Sequence, residues 1–173
     1  MNKWHATLLL LAMCITPAFS AEPAQAVSLS RPWFIYLVQH THTDVGYTRP
    51  QSEILPDHLR FIDDALDYCD LTDSYPDDAK FRWTCEVTWV VREWFARRPA
   101  SQIERFTKRV KEGRIEVTGM FVNMSEIATE ASLAASLQPV RELKDAGIPI
   151  RLAMQNDVNG AAWCLVDYLQ PAG

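Results

Sequence analysis

A continuous apolar run that ends in polar side chains is the feature that most constrains this chain. Residues 33–38 are apolar without alternation, which is typical of a strand covered on both faces, as in a parallel sheet. His40, His42 and Asp44 follow directly. In α/β folds, functional sites are built where parallel strands end. The run therefore predicts a buried parallel strand with a functional site at its carboxyl end.

The three polar side chains are spaced two residues apart. On an extended backbone such residues share a face, so His40, His42 and Asp44 can point in the same direction. Imidazole together with carboxylate suits zinc, with manganese or iron as alternatives. We expect His42 and Asp44 to bind a metal ion and His40 to orient His42 or the loop without binding it. A polar strand end with hydrogen-bonded histidines is the alternative.

The rest of the chain alternates between short apolar segments and segments with helical periodicity. The predicted strands cover residues 33–38, 81–86, 114–119 and 148–155. The predicted helices cover residues 52–71, 88–98, 101–112, 131–146 and 161–169. This order predicts an α/β fold, namely a partial parallel (β/α) barrel in which about four strands alternate with helices.

Two further carboxylates fall at predicted strand ends. Glu86 closes the second strand, and Asp157 follows the fourth. If all strands are parallel, both carboxylates converge with His42 and Asp44 at one edge of the sheet. Asp157 is then the expected third metal ligand. An Asn-Asp turn without any ligand is the alternative.

The start of the chain predicts export. Lys3 precedes a short apolar stretch at residues 6–15, which Pro17 ends, and small residues that suit cleavage follow. We expect a signal peptide over residues 1–26, a linker over residues 27–32, and a mature protein in the periplasm or outside the cell. The apolar stretch is too short to span a bilayer, so no membrane contact is expected after cleavage.

Composition and net charge limit the classes of binding partner that the chain is expected to have. The 173 residues are 48% hydrophobic and 23% charged, which is typical of a globular protein. The net charge is −5 and no basic run exists, which argues against nucleic acid as a partner. Nothing in the pattern indicates an oligomeric state.

The predicted metal segment also carries a family resemblance. Residues 42–47, His-Thr-Asp-Val-Gly-Tyr, resemble the His-x-Asp-x-Gly-aromatic signature of glycoside hydrolase family 38, the zinc-dependent α-mannosidases. The resemblance runs from residue 33 to about residue 167 and covers only the first part of that family's catalytic domain. It implies an exported retaining glycosidase that uses one zinc ion and cleaves glycosidic bonds in oligosaccharides or glycans.

The resemblance also implies roles for individual residues. Asp157 lies in Asn-Asp-x-x-Gly, where the family has an aspartate that is both zinc ligand and nucleophile, so it is the expected catalytic residue. Tyr47 stands where many members have tryptophan. We expect Tyr47, Glu86 and Trp89 to contact the carbohydrate substrate. For Trp89 the alternative is a packed core indole.

Two parts of the family's site have no candidate in this sequence. The family's fourth zinc ligand, a histidine, and its acid/base aspartate lie downstream, and neither has a counterpart after Asp157. We therefore interpret residues 33–173 as a truncated N-terminal part of the barrel domain that is inactive alone. Two other functions stay open: a metal-dependent polysaccharide deacetylase, in which zinc activates water, and a non-catalytic sugar-binding remnant.

Overall fold

The computed structural model describes residues 31–125 and 127–172. Contacts divide the chain into two units, Met1–Ile35 and Tyr36–Gly173. In the first unit, residues 31–35 form neither helix nor strand, while the predicted signal peptide (1–26) and most of the linker (27–32) lie outside the described residues. Export therefore stays a prediction. All helices and strands given below belong to the second unit.

The second unit is a mixed α/β fold. Two short strands, β1 (Trp83–Cys85) and β2 (Ile115–Val117), form a parallel pair. The α-helices of the described residues are α1 (Gln51–Leu71), α2 (Thr88–Phe95), α3 (Ala100–Lys111), α4 (Glu130–Ser136), α5 (Gln138–Asp145) and α6 (Leu165–Ala172). A 3₁₀ turn at Asp77–Ala79 precedes β1. The alternation of helices with parallel strands confirms the α/β prediction.

The core lies between the sheet and the first helices. Leu66 of α1, Trp94 of α2, Phe106 of α3 and Val117 of β2 are fully buried. The Trp94 and Phe106 rings are 5.3 Å apart between centroids. The indole N–H of Trp94 donates to Asp63 Oδ1 at 2.8 Å, so this large side chain is buried with its polar atom satisfied.

The predicted first strand is not a strand in the structure. Residues 33–38 form no ladder, and their side chains are between 62% and 85% exposed. Pairing begins only at His40, which forms an isolated parallel bridge with Thr84. A strand needs a row of N–H and C=O partners, which apolar composition alone does not supply. Among the described residues, β1 pairs with none of residues 33–38, and its bridge on that side is to His40.

The predicted fourth strand is also reduced to one bridge. Within residues 148–155, only Ala153 pairs, in a parallel bridge with Gly119. The Gly119 amide donates to Leu152 O at 2.6 Å, and the Met154 amide donates to Gly119 O at 3.3 Å. Within the described part of the chain no segment pairs with the far side of these residues. A barrel of about four strands is therefore not confirmed.

The bridges nevertheless place the four segments side by side in chain order. His40 lies beside Thr84 of β1, β1 pairs with β2, and Gly119, just after β2, lies beside Ala153. All of these pairings are parallel. Since parallel neighbours end at the same edge, the loops that follow the four segments are brought together there.

Two predicted helices have different bounds. The helix expected over residues 131–146 is two helices, because Leu137 ends α4 and Pro139 lies in the first turn of α5. Proline is favoured in a first turn and disrupts a helix interior, so it separates the two segments instead of bending one. The last helix, α6, begins later than the predicted residues 161–169. No helix within the described ranges is both long and apolar enough to cross a bilayer.

The loop after β2 is held by the N-terminus of α2. The Thr88 amide and Oγ1 both donate to Met120 O, at 2.8 and 3.0 Å, and the Trp89 amide donates to Phe121 O at 3.0 Å. These bonds use amides that a helix N-terminus otherwise leaves unpaired. Met120 is fully buried and has φ 91°, which is uncommon for a residue with a side chain. The contacts with α2 hold this bend.

Thr88→Val tests that contact. Valine keeps the shape of the buried side chain but removes the Oγ1 bond to Met120 O. We expect the free energy of unfolding, measured by urea denaturation, to fall by about 1 kcal/mol. Thr48→Val, at an exposed position, is the matched control and should change it by less than about 0.5 kcal/mol. Equal effects of the two substitutions would contradict a role for the Thr88 hydroxyl.

Candidate metal centre

The structure brings His42, Asp44 and Asp157 together. One ligand atom from each lies within 4.8 Å of the others. His42 Nε2 is 3.4 Å from Asp44 Oδ1 and 3.6 Å from Asp157 Oδ2. The Asp157 side chain is 83% exposed, whereas those of His42 and Asp44 are about one-third exposed. One imidazole and two carboxylates that face solvent can hold a divalent cation.

The backbone around two of these residues is left-handed. Asp157 has φ 52°, a conformation that aspartate adopts more readily than most residues. Gly46, two residues after Asp44, has φ 78°, where a side chain would be strained. Asp157 and Gly46, which tolerate a left-handed backbone, thus stand where the two loops turn at the candidate ligands.

Glu86 fixes the orientation of His42. Its side chain is 0% exposed, and its Oε1 lies 3.0 Å from His42 Nδ1. Its Oε2 accepts from the Thr43 amide at 2.7 Å, and Oε1 also accepts from Asn123 Nδ2 at 3.2 Å. A carboxylate at Nδ1 favours the tautomer with its proton on that nitrogen. The lone pair of Nε2 then faces the two aspartates, as metal binding requires.

The charges around His42 set its protonation. Burial lowers the pKa of His42, but the hydrogen bond to Glu86 and the negative charges of Glu86, Asp44 and Asp157 outweigh it, so the pKa is raised above 6.5. A proton and a cation compete for the same nitrogen. Cation binding should therefore weaken as the pH falls through this raised pKa.

A cleft of about 520 Å³ opens beside the three residues. Tyr47, a residue that is 87% exposed, lines it, and Phe121 and Asn123 line it from the loop after β2. The volume lies within the range typical of small-molecule sites. The arrangement therefore combines a possible cation site, an exposed aromatic ring and space for a ligand.

The family follows from a comparison with known proteins. The model of the Glycosyl hydrolases family 38 N-terminal domain matches residues 32–173. The chain belongs to glycosyl hydrolase family 38. The resemblance found in residues 42–47 is thereby confirmed at the level of the family.

One solved structure supports the fold of this family 38 chain. It is the crystal structure of a protein in the glycosyl hydrolase family 38 from Enterococcus faecalis, with 20% sequence identity and a TM-score of 0.58. The match covers 79% of this chain and 15% of that chain, so this chain spans a small part of the related protein's length. Comparison with curated proteins gave no match.

Three sequence-predicted residues of the family 38 chain lie away from the cleft lining. Glu86 was expected to contact substrate, but its side chain is buried behind His42. Trp89 is half-buried and packs against the hydrophobic core. His40 Nδ1 is 4.0 Å from Glu86 Oε2 and has no hydrogen-bond partner among the described residues. His40 thus lies next to Glu86.

Further residues that were not predicted from the sequence line the cleft of this family 38 chain. Phe121 and Asn156 line it together with Gln51 at the start of α1. Phe121 follows the third predicted strand and Asn156 directly precedes Asp157. The rule that sites form at strand ends could have found both, whereas nothing local distinguishes Gln51.

Proposed function

We propose that this family 38 chain forms part of an exported, zinc-dependent retaining glycosidase of the α-mannosidase type. The observation that carries the proposal is the convergence of His42, Asp44 and Asp157 beside an open cleft. Family membership supports glycoside hydrolysis as the reaction class and a carbohydrate as the substrate. The short apolar stretch at residues 6–15 supports export.

The donor set fits zinc. His42 offers an imidazole nitrogen whose tautomer Glu86 fixes, and Asp44 and Asp157 offer carboxylate oxygens. When bound, zinc would supply a charge that grips sugar hydroxyls and helps to hold the nucleophile. Three protein ligands leave room for a further ligand.

Asp157 is suited to attack on the sugar. It is the most exposed of the three ligands and lines the cleft. In a retaining mechanism, its carboxylate attacks the anomeric carbon, the bond to the leaving oxygen breaks, and water later hydrolyses the glycosyl-enzyme. Apart from Asp44 and Asp157, no described residue that lines the cleft is a carboxylic acid.

Tyr47 is the expected platform for the sugar ring. Its exposed phenol ring stands at the cleft beside Asp44, where it can stack on the apolar face of a pyranose. Tyrosine also offers a hydroxyl that can hydrogen-bond to the sugar.

Zinc binding by the 173-residue chain tests the proposal. We expect one zinc ion per chain by metal analysis after dialysis, and its removal by a chelator. Asp44→Asn should lower the zinc affinity at least about tenfold, because an amide is a poorer ligand than a carboxylate. Asp145→Asn, at an exposed position on α5, is the matched control and should leave the affinity unchanged. A wild-type chain that binds no zinc would overturn the proposal.

Substrate assays separate the proposed reaction from the deacetylase alternative. In an active enzyme that contains this chain, zinc-dependent release of nitrophenol from a nitrophenyl α-mannoside is expected. Release of acetate from acetylated sugars without glycoside cleavage would favour the deacetylase. Zinc and sugar binding without either reaction would favour a binding module.

A further inference from the structure

We propose that Asn123 is a positioning residue that joins the two halves of the metal centre and sets the spacing between His42 and Asp157. The inference rests on the proposed function. The two ligands lie on loops that follow the first and the last of the four neighbouring segments, and each of these outer segments pairs with the sheet at only one bridge. Something other than the sheet must therefore hold the loops in register.

Asn123 supplies that link through the nitrogen and the oxygen of its side-chain amide. Its Nδ2 donates to Glu86 Oε1 at 3.2 Å, and Glu86 in turn holds His42 Nδ1 at 3.0 Å. Its Oδ1 accepts from the Asn156 amide at 3.1 Å, and Asn156 directly precedes Asp157. A continuous chain of hydrogen bonds thus runs from the imidazole of one loop to the backbone of the other.

The geometry requires an amide at this position. One polar atom of the side chain must donate to the buried carboxylate of Glu86, and the other must accept from the backbone N–H of Asn156. A carboxamide group offers both a donor and an acceptor. An aspartate could accept from Asn156, but it cannot donate to Glu86 and would repel it. An alanine would lose both bonds. A near-isosteric change therefore breaks one side of the link and a truncation breaks both.

The link bears on Asp157 because that side chain has few contacts of its own, and the Asn156 side chain adds a second hydrogen bond to Glu86. The Asp157 side chain is largely exposed, and its one ion pair among the described residues is with His42. A separate bond from the Gln155 side chain to Met124 O also ties the two loops. Loss of Asn123 should therefore loosen the ligand spacing without unfolding the chain.

The same contacts bear on glycosylation. Asn123-Met124-Ser125 matches the acceptor sequence for N-linked glycans. A glycan on Nδ2 would replace one of its two hydrogens and would stand in the cleft that Asn123 lines. A glycan on this residue would therefore compete with a sugar ligand for the same space.

Zinc titration of the 173-residue chain tests the inference. We expect Asn123→Asp and Asn123→Ala to lower zinc affinity about 10-fold to 100-fold, the range typical of partners that orient a ligand. Asn159→Asp is the matched control, since Asn159 is exposed on the Asp157 loop and does not line the cleft. Its affinity should equal that of the wild type.

Amide hydrogen exchange at Asn156 distinguishes positioning from a general loss of structure. Exchange should accelerate in Asn123→Ala, which removes the acceptor, but not in Asn123→Asp, which keeps it. Zinc affinity should fall in both. If Asn123→Ala does not fold, the near-isosteric Asn123→Asp decides by its affinity. If the wild type binds zinc and both variants bind as tightly as Asn159→Asp, the inference alone fails. If the wild type binds no zinc, the proposed function fails with it.

Discussion

In an active enzyme that contains this chain, Asp157→Asn is expected to lower the kcat for glycoside hydrolysis by on the order of 10⁴-fold or more. Asparagine cannot serve as an anionic nucleophile, and its amide oxygen is a poorer metal ligand. The 83% exposed side chain packs against little, and asparagine tolerates the left-handed φ of 52°. Turnover should therefore be lost while the fold and part of the sugar binding are kept.

The measurement is kcat on a nitrophenyl α-mannoside, with circular dichroism to check the fold. Asp78→Asn, which makes the same chemical change at another exposed position, should leave kcat unchanged. His42→Ala should instead lower zinc affinity first, with activity partly restored by excess zinc. Near-normal turnover in Asp157→Asn, with complete loss in His42→Ala, would rule out Asp157 as the nucleophile and favour the deacetylase.

Arg114→Met is expected to lower the free energy of unfolding by about 3 kcal/mol. The Arg114 side chain is 5% exposed. Its guanidinium donates to Phe81 O at 2.7 Å and to Cys69 O at 3.0 Å, as well as to Thr72 Oγ1 at 2.7 Å and Asp73 Oδ1 at 2.9 Å. Methionine keeps much of the apolar stem but removes all four bonds. Thr72 Oγ1 and Asp73 Oδ1 still accept from the Phe81 amide and Arg109, so the main loss falls on the carbonyls of Phe81 and Cys69. Arg114 thus ties the end of α1 to the start of β2.

Urea denaturation measures this effect. Most of the loss should come from the buried carbonyls, because the Asp73 side chain is 48% exposed and its ion pair is screened by water. Arg82→Met is the matched control, since Arg82 is 43% exposed and pairs with Asp77 on the surface. Its effect should stay below about 1 kcal/mol. A loss for Arg114→Met no larger than that of the control would show that these bonds contribute little.

The acid side of the stability curve provides an independent check. The hydrogen bond from Arg109 is the largest cause that holds the pKa of Asp73 below its usual 3.8; the charge of Arg109 and the hydrogen bond and charge of Arg114 add to it, and together they outweigh the effect of burial. A carboxyl group with a lowered pKa in the folded state stabilises the protein above its unfolded pKa and loses that contribution as the pH falls through the folded value. The wild type should therefore lose stability below about pH 4, and Arg114→Met should lose less.

Local sequence could predict that His42, Asp44 and Asp157 converge, but not what supports them. His42 and Asp44 share a face through their spacing, and Asp157 follows a segment that runs parallel to theirs. The contacts of Glu86 are with the Thr43 amide and Asn123, which lie 43 and 37 residues away along the chain, so local sequence could not predict them. Long-range hydrogen bonds provide that support.

The same limit applies to the strands. The apolar pattern of residues 33–38 is typical of a buried strand, yet it specifies no partner, and the bridge from β1 is to His40, beyond the end of that run. In residues 83–85 and 115–117 the pattern and the partner agree, and a ladder forms. Burial is a property of the neighbours as much as of the segment itself.

The exposure of residues 33–38 has a practical consequence for the behaviour of the chain in solution. These six residues, Trp-Phe-Ile-Tyr-Leu-Val, carry no charge and no proline, and their strand propensity is high. Such a segment is a candidate for intermolecular steric-zipper contacts when it is solvent-accessible. Arg31 and Pro32 directly precede it and are of the residue types that act as gatekeepers against fibril growth. Colloidal stability, more than the fold, would then limit the concentration at which this chain stays monodisperse.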